Sequence, residues 1–115
     1  MGEYIMEMVP FANARETDRA LPVSGNSMVP HYPPGTIVQI REVENWHEYI
    51  ETGEDAVYVI VLKDDRRLLK ELHKGSDKNT ISIHSYNPNV DDAELPKSLV
   101  RSIWRVLAKY QKVAL

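Results

Sequence analysis

Cysteine is absent from the 115 residues, which excludes disulfides and thiolate metal sites and leaves a reducing compartment open. No apolar run reaches the ~18 residues that a bilayer span needs, so no membrane partner is expected. The opening "MGEYIMEMVP" carries two acids and no basic n-region. That is unlike a secretory signal, and a cytoplasmic location is the expectation. A basic excess is missing too: the net charge is −3 and the pI is near 5.8. Phosphate binding needs clustered positive surface, so this chain is not expected to grip nucleic acid by itself. Repeats and low-complexity tracts are also lacking. What remains fits one domain by length, with 43% hydrophobic residues for a modest core.

The residues that are present read mostly as β. Residues 1–22 form a lead-in, with "YIMEMV" followed by the polar run "NARETDR", and residues 23–115 form the domain proper. "TIVQIREV" and "TISIHSY" suit strands, and "AVYVIVL" at 56–62 is the clearest one because it is dense in β-branched and aromatic residues. "KDD" supplies turn residues before "RRLLKELHK", which predicts a hairpin. "NPNVDDAELP" reads as a loop by its Asn, Asp and Pro content. The stretch "KSLVRSIWRVLAKYQKV" stays open. Leu99, Ile103 and Leu107 recur every four residues as in an amphipathic helix, whereas Trp104, Val106, Ala108 and Tyr110 alternate as in a strand.

Two glycines and three prolines crowd around Ser27 in "VSGNSMVPHYPPGTIVQI" at 23–40. Gly25 can take positive φ and Asn26 tolerates it, so Ser27 just beyond such a turn would display its hydroxyl. The backbone N–H groups of Asn26, Ser27 and Met28 would then point together, as an oxyanion requires. The plainer alternative is that Ser27 caps the short turn that Pro30 stops.

A nucleophilic serine needs a base. His31 lies one helical turn past Ser27, while His47, His73 and His84 stand in polar company. No two histidines pair at i, i+4, so neither a metal nor another cofactor is expected. Lysine is the other option. With period two, Leu68, Lys70 and Leu72 share one strand face, and Leu69, Glu71 and His73 share the other. A lysine between two leucines on its own face points toward apolar surroundings, where burial favours the neutral amine that a general base requires. Two other readings stay open: Lys70 snorkels from a core edge, or the segment is a helix.

Together these pieces resemble one family. "SGNSMVP" followed by a Gly-led strand looks like the nucleophile segment of the LexA and phage-repressor C-terminal peptidases, "LLKEL" places Lys70 at the family's lysine, and "IHSYNPNV" is similar to its "L-x-S-x-NP" segment. The resemblance implies a mostly β fold of twisted antiparallel sheets of the LexA/signal-peptidase-like type with little helix, so that residues 97–113 become a strand. It implies a Ser/Lys dyad: Ser27 as nucleophile, Lys70 as base, and the backbone of Asn26, Ser27 and Met28 as oxyanion hole. By resemblance the chain would be the homodimerising, self-cleaving half of a transcriptional regulator, with its own N-terminal linker as substrate. DNA would be reached only through an N-terminal helix-turn-helix domain not among these residues, and a recombinase filament would be the inducing partner in the SOS branch. A non-cleaving oligomerisation module with a vestigial dyad, or an accessory subunit of a damage-tolerant DNA polymerase, is the alternative.

The sequence departs from the family pattern at Thr36, where an aspartate is usual, and in having no Ala-Gly or Cys-Gly bond before Ser27. "FANAR" offers small residues but no such bond.

Overall fold

Alternation along β3, residues Val57–Leu62, organises the molecule. Tyr58, Ile60 and Leu62 enter one buried cluster with Trp46, Leu72, Ile81, Val100 and Ile103, while Val59 enters another with Leu21, Val38 and Ile40. Such a strand, apolar on both faces, belongs at the centre of a sheet covered on both sides. The computed structural model, which describes residues 13–111, places it there.

Seven antiparallel strands form one sheet in the order β1-β2-β7-β3-β4-β5-β6. They are β1 Arg19–Pro22, β2 Ile37–Glu42, β3, β4 Arg67–Lys74, β5 Thr80–His84, β6 Ala93–Pro96 and β7 Val100–Tyr110. The expected hairpin is present: β3 and β4 pair Val57 with Glu71 through Val61 with Arg67 across a tight Lys63–Arg66 turn. A 3-10 turn at Lys97–Leu99 is the helical element among the described residues.

Three features complete or correct the sequence reading. The "VRSIWRVLAKY" segment is strand β7, bonded to β2 along one edge and to β3 along the other, so the helical spacing is overridden by pairing on both sides. "AELP", expected as loop, is the edge strand β6, held in register by β5 with Leu95 opposite Ile81. Residues 19–22 of the lead-in join the sheet as β1. Just before them Asp18, fully buried, accepts hydrogen bonds from Arg41 Nε and Nη2 at 2.7 and 2.8 Å, Gln39 Nε2 at 2.7 Å and the Arg15 amide at 2.9 Å. Phe11 and Ala12 of the "FANAR" segment lie outside the described residues.

The sheet bends enough for β1 and β4, which are not neighbours in it, to line one cavity of about 410 Å³. Val38 and Val59 form part of its lining, and Asp64, Asp65 and Arg66 of the hairpin turn stand at one side with Arg67.

Candidate active site

The loop that carries Ser27 leaves β1 at Val23 and returns to β2 at Thr36. Its base is closed by backbone bonds from Val23 to the Thr36 carbonyl (2.7 Å) and from Gly35 to the Val23 carbonyl (2.9 Å). Thr36, at the position where aspartate is usual, makes the local contact itself: its hydroxyl is buried and donates to the Pro33 carbonyl at 2.7 Å. Gly25 has φ +79, the left-handed conformation expected of it. Residues 27–31 then make a turn in which Tyr32 N–H donates to the Met28 carbonyl at 2.9 Å. No longer helix follows, so Ser27 is not the cap of one.

The tip of this loop is pinned from across the molecule. Asn87 N–H donates to the Ser27 carbonyl at 3.0 Å, and Asn87 Nδ2 donates to the Asn26 carbonyl at 2.9 Å. Met28, almost wholly buried, receives the Tyr86 N–H on its sulfur at 3.4 Å. The "SYNP" residues of the third motif therefore sit on the Ser27 turn. The N–H groups of Asn26, Ser27 and Met28 themselves donate to no acceptor among the described residues. Asn26 is exposed and Ser27 half-buried, so these N–H groups stand open to an acceptor that arrives from outside. A developing oxyanion is such an acceptor.

Lys70 lies on β4 opposite Tyr58, on the face that also carries Leu68 and Leu72. Its Nζ donates to Ser85 Oγ at 2.6 Å. That contact follows from register: Glu71 pairs with His84, so the next residues outward, Lys70 and Ser85, face each other on one side of the sheet. Ser85 is 3% exposed. Lys70 has no carboxylate partner among the described residues, and burial alone lowers its pKa from the ordinary lysine value. The amine of Lys70 thus meets Ser85, and the Ser27 hydroxyl makes no hydrogen bond among the described residues.

His31 does not contact Ser27 by a hydrogen bond. Its ring packs on Tyr86 with centroids 4.6 Å apart, and its carbonyl accepts from Lys109. The other histidines have partners elsewhere, His73 with Glu71 and His84 with Asp92, each at 2.6 Å, and His47 stacked on Trp46. No group of three or more His, Cys, Asp or Glu side chains suited to a metal occurs among the described residues.

The model for the family described as Peptidase S24-like matches residues 2–109. The chain belongs to that family, the LexA and phage-repressor C-terminal peptidases. No curated protein matches it significantly. In this Peptidase S24-like chain the sequence motifs located Ser27 and Lys70, but they did not single out Ser85, although the serine of "L-x-S-x-NP" is part of the resemblance. Its signal was the β4–β5 pairing, which sets Ser85 opposite Lys70 and which only a strand register reveals.

Proposed function

We propose that this chain is a self-cleaving serine endopeptidase domain of a LexA- or phage-repressor-type regulator, with Ser27 as nucleophile and Lys70 as general base. The observation that carries the proposal is the setting of Lys70: partly buried, free of any carboxylate among the described residues, and bonded only to the neutral hydroxyl of Ser85, two residues before the Asn87 that pins the Ser27 turn. A lysine so placed favours the neutral amine. That amine takes the proton from Ser27 Oγ as the oxygen attacks the scissile carbonyl. The N–H groups of Ser27 and Met28, with Asn26 beside them, receive the oxyanion. The ammonium of Lys70 then returns the proton to the leaving amine, and water hydrolyses the acyl-serine.

The cavity suits an extended peptide. β1 is bonded on one edge only, and residues 67–70 of β4 lie ahead of the stretch that pairs with β5. Both lines of backbone border the cavity. An inserted strand could hydrogen-bond to each, the mode of binding known as strand addition. Ser24 and Leu69 both line the cavity, and the chain runs on from them to Ser27 and Lys70. The substrate is the linker upstream of this domain, the domain associates as a homodimer in the cytoplasm, and DNA is reached through a helix-turn-helix segment that cleavage releases.

A second reading, a binding module with a vestigial dyad, draws on the bond of Lys70 to Ser85 rather than to Ser27. One experiment separates the two. The chain, joined to its upstream linker, is incubated between about pH 7 and 11, and cleavage is followed by mass. Cleavage that rises with pH and is abolished by both Ser27→Ala and Lys70→Ala supports the proposal. Cleavage that survives Lys70→Ala and fails in His31→Ala overturns the lysine assignment. A dimer that cuts no linker at any pH sustains the binding module instead.

A further inference from the structure

Adjacent residues of "LLKEL" bring two charges into one strand, Lys70 half-buried and Glu71 buried. Lys70 has a reason in the proposed chemistry. Glu71, only 5% exposed, has none there. A buried carboxylate is costly unless it is well hydrogen-bonded, and a strand position two residues from the leucine-rich core could hold an apolar residue instead.

Its contacts suggest what it does. Glu71 Oε2 accepts from the Tyr86 hydroxyl at 2.6 Å and from the Asp55 amide at 2.9 Å, while Oε1 meets His73 Nε2 at 2.6 Å. Burial pushes its carboxyl up, yet the bonds from Tyr86, His73 and Asp55 together bring it below the ordinary glutamate range. Tyr86 is placed by register on the same face as Glu71, diagonally across from it, because Glu71 pairs with His84 and Tyr86 lies two residues on. The Tyr86 ring is packed by His31 at 4.6 Å, His84 at 5.9 Å and Tyr32 at 6.3 Å between centroids.

Two successive residues of β4 therefore grip two successive residues beyond β5, one pair on each face: Lys70 with Ser85, Glu71 with Tyr86. The gripped segment continues directly into Asn87, whose two bonds pin the Ser27 turn, and Tyr86 itself donates its N–H to Met28. We propose that Glu71 and Tyr86 are a positioning pair for the serine–lysine reaction, holding residues 85–87 so that Ser85 meets Lys70 and Asn87 fixes the Ser27 turn. The inference rests on the serine–lysine reading and assigns a role to residues that touch neither substrate nor reacting atoms.

Tyr86→Phe keeps the ring and removes the hydroxyl, and Glu71→Gln keeps an oxygen that can accept from Tyr86. Both are compared with Val100→Ala, a core change at the start of β7 that lowers stability away from this segment. Self-cleavage, its pH midpoint and hydrogen exchange of the Asn87 amide are measured for each. The expected result is cleavage slowed about 10–100-fold in Tyr86→Phe, faster Asn87 exchange, partial retention of rate in Glu71→Gln, and a Glu71→Ala/Tyr86→Phe double variant no slower than its slower single. Cleavage in Tyr86→Phe that is unchanged, or reduced no more than in Val100→Ala, overturns the pairing while leaving the serine–lysine reading intact. If the parent chain cuts no linker, that reading fails and exchange alone decides. Faster Asn87 exchange in Tyr86→Phe than in Val100→Ala then sustains the latch, and equal exchange overturns it.

Discussion

Lys70 and Ser85 face each other across β4 and the end of β5, with the amine donating to the hydroxyl at 2.6 Å. The donor is the proposed base, and the acceptor is a neutral side chain with almost no contact with solvent. The bond orients the amine without offering it a counter-charge. It also stabilises the protonated form somewhat, because a hydrogen bond from an ammonium is stronger than one from an amine.

Ser85→Ala therefore has two expected consequences of opposite character. The cleavage rate at high pH falls by up to about 100-fold, because the amine loses its orientation. The pH midpoint of cleavage moves to lower values, because the ammonium loses its acceptor. Rate–pH profiles of the two proteins check both. A lower plateau with an unmoved midpoint would separate orientation from electrostatics and remove the second.

Burial of Lys70 has a consequence for folding that does not depend on catalysis. Its folded pKa is lowered while the unfolded value stays near 10.5. Between the two, the unfolded chain binds a proton that the folded chain does not, so stability rises with pH. Relative to Lys70→Met, which keeps the stem and removes the charge, the parent protein is penalised most below the folded pKa. It regains stability as pH climbs through the folded pKa toward about 10.5. Urea titrations of both proteins at several pH values measure the difference, and a difference that is flat with pH would contradict the burial of the amine.

Asp18 behaves in the reverse sense. The Arg41 guanidinium hydrogen bonds hold its carboxyl far below the usual aspartate range, against the opposing effect of burial, with the Arg15 amide and Gln39 adding to the lowering. A depressed carboxylate stabilises the fold fully above its unfolded pKa near 3.8 and loses that contribution as pH falls below it toward the folded value. Asp18→Ala should cost about 3 kcal/mol at pH 7, the lower end for removing one partner of a buried pair, since Arg41 keeps some solvent. The deficit should shrink in acid below the unfolded value, which denaturant unfolding at neutral and low pH checks.

Much of this was legible because period two is a strong signal where both strand faces are buried. "AVYVIVL" and "RRLLKELHK" announced the β3–β4 hairpin and put Lys70 among leucines. β7 was not legible for a geometric reason. Leu99, Ile103 and Leu107 are four apart, and a spacing of four returns to the same side of a helix and of a strand alike. Only the partners on its two edges decide, and those come from distant sequence. β6 was hidden by its Glu and Pro and by the two aspartates just before it, since what makes it a strand is β5 beside it. For the candidate site, the Ser27 turn and Lys70 each carried a local pattern. Ser85, Glu71 and Tyr86 did not, because their roles arise from register between strands.

The open backbone bordering the cavity has a cost outside any reaction. β1 is the end strand of the sheet, and a strand edge that no neighbour covers is a template on which any extended segment could nucleate aggregation. β1 ends in Pro22, which has no N–H to offer, and Asp64, Asp65, Arg66 and Arg67 put charge of both signs at the side of the opening. These residues restrict what can enter. Apolar replacements there would turn this opening into a seed for insoluble assembly.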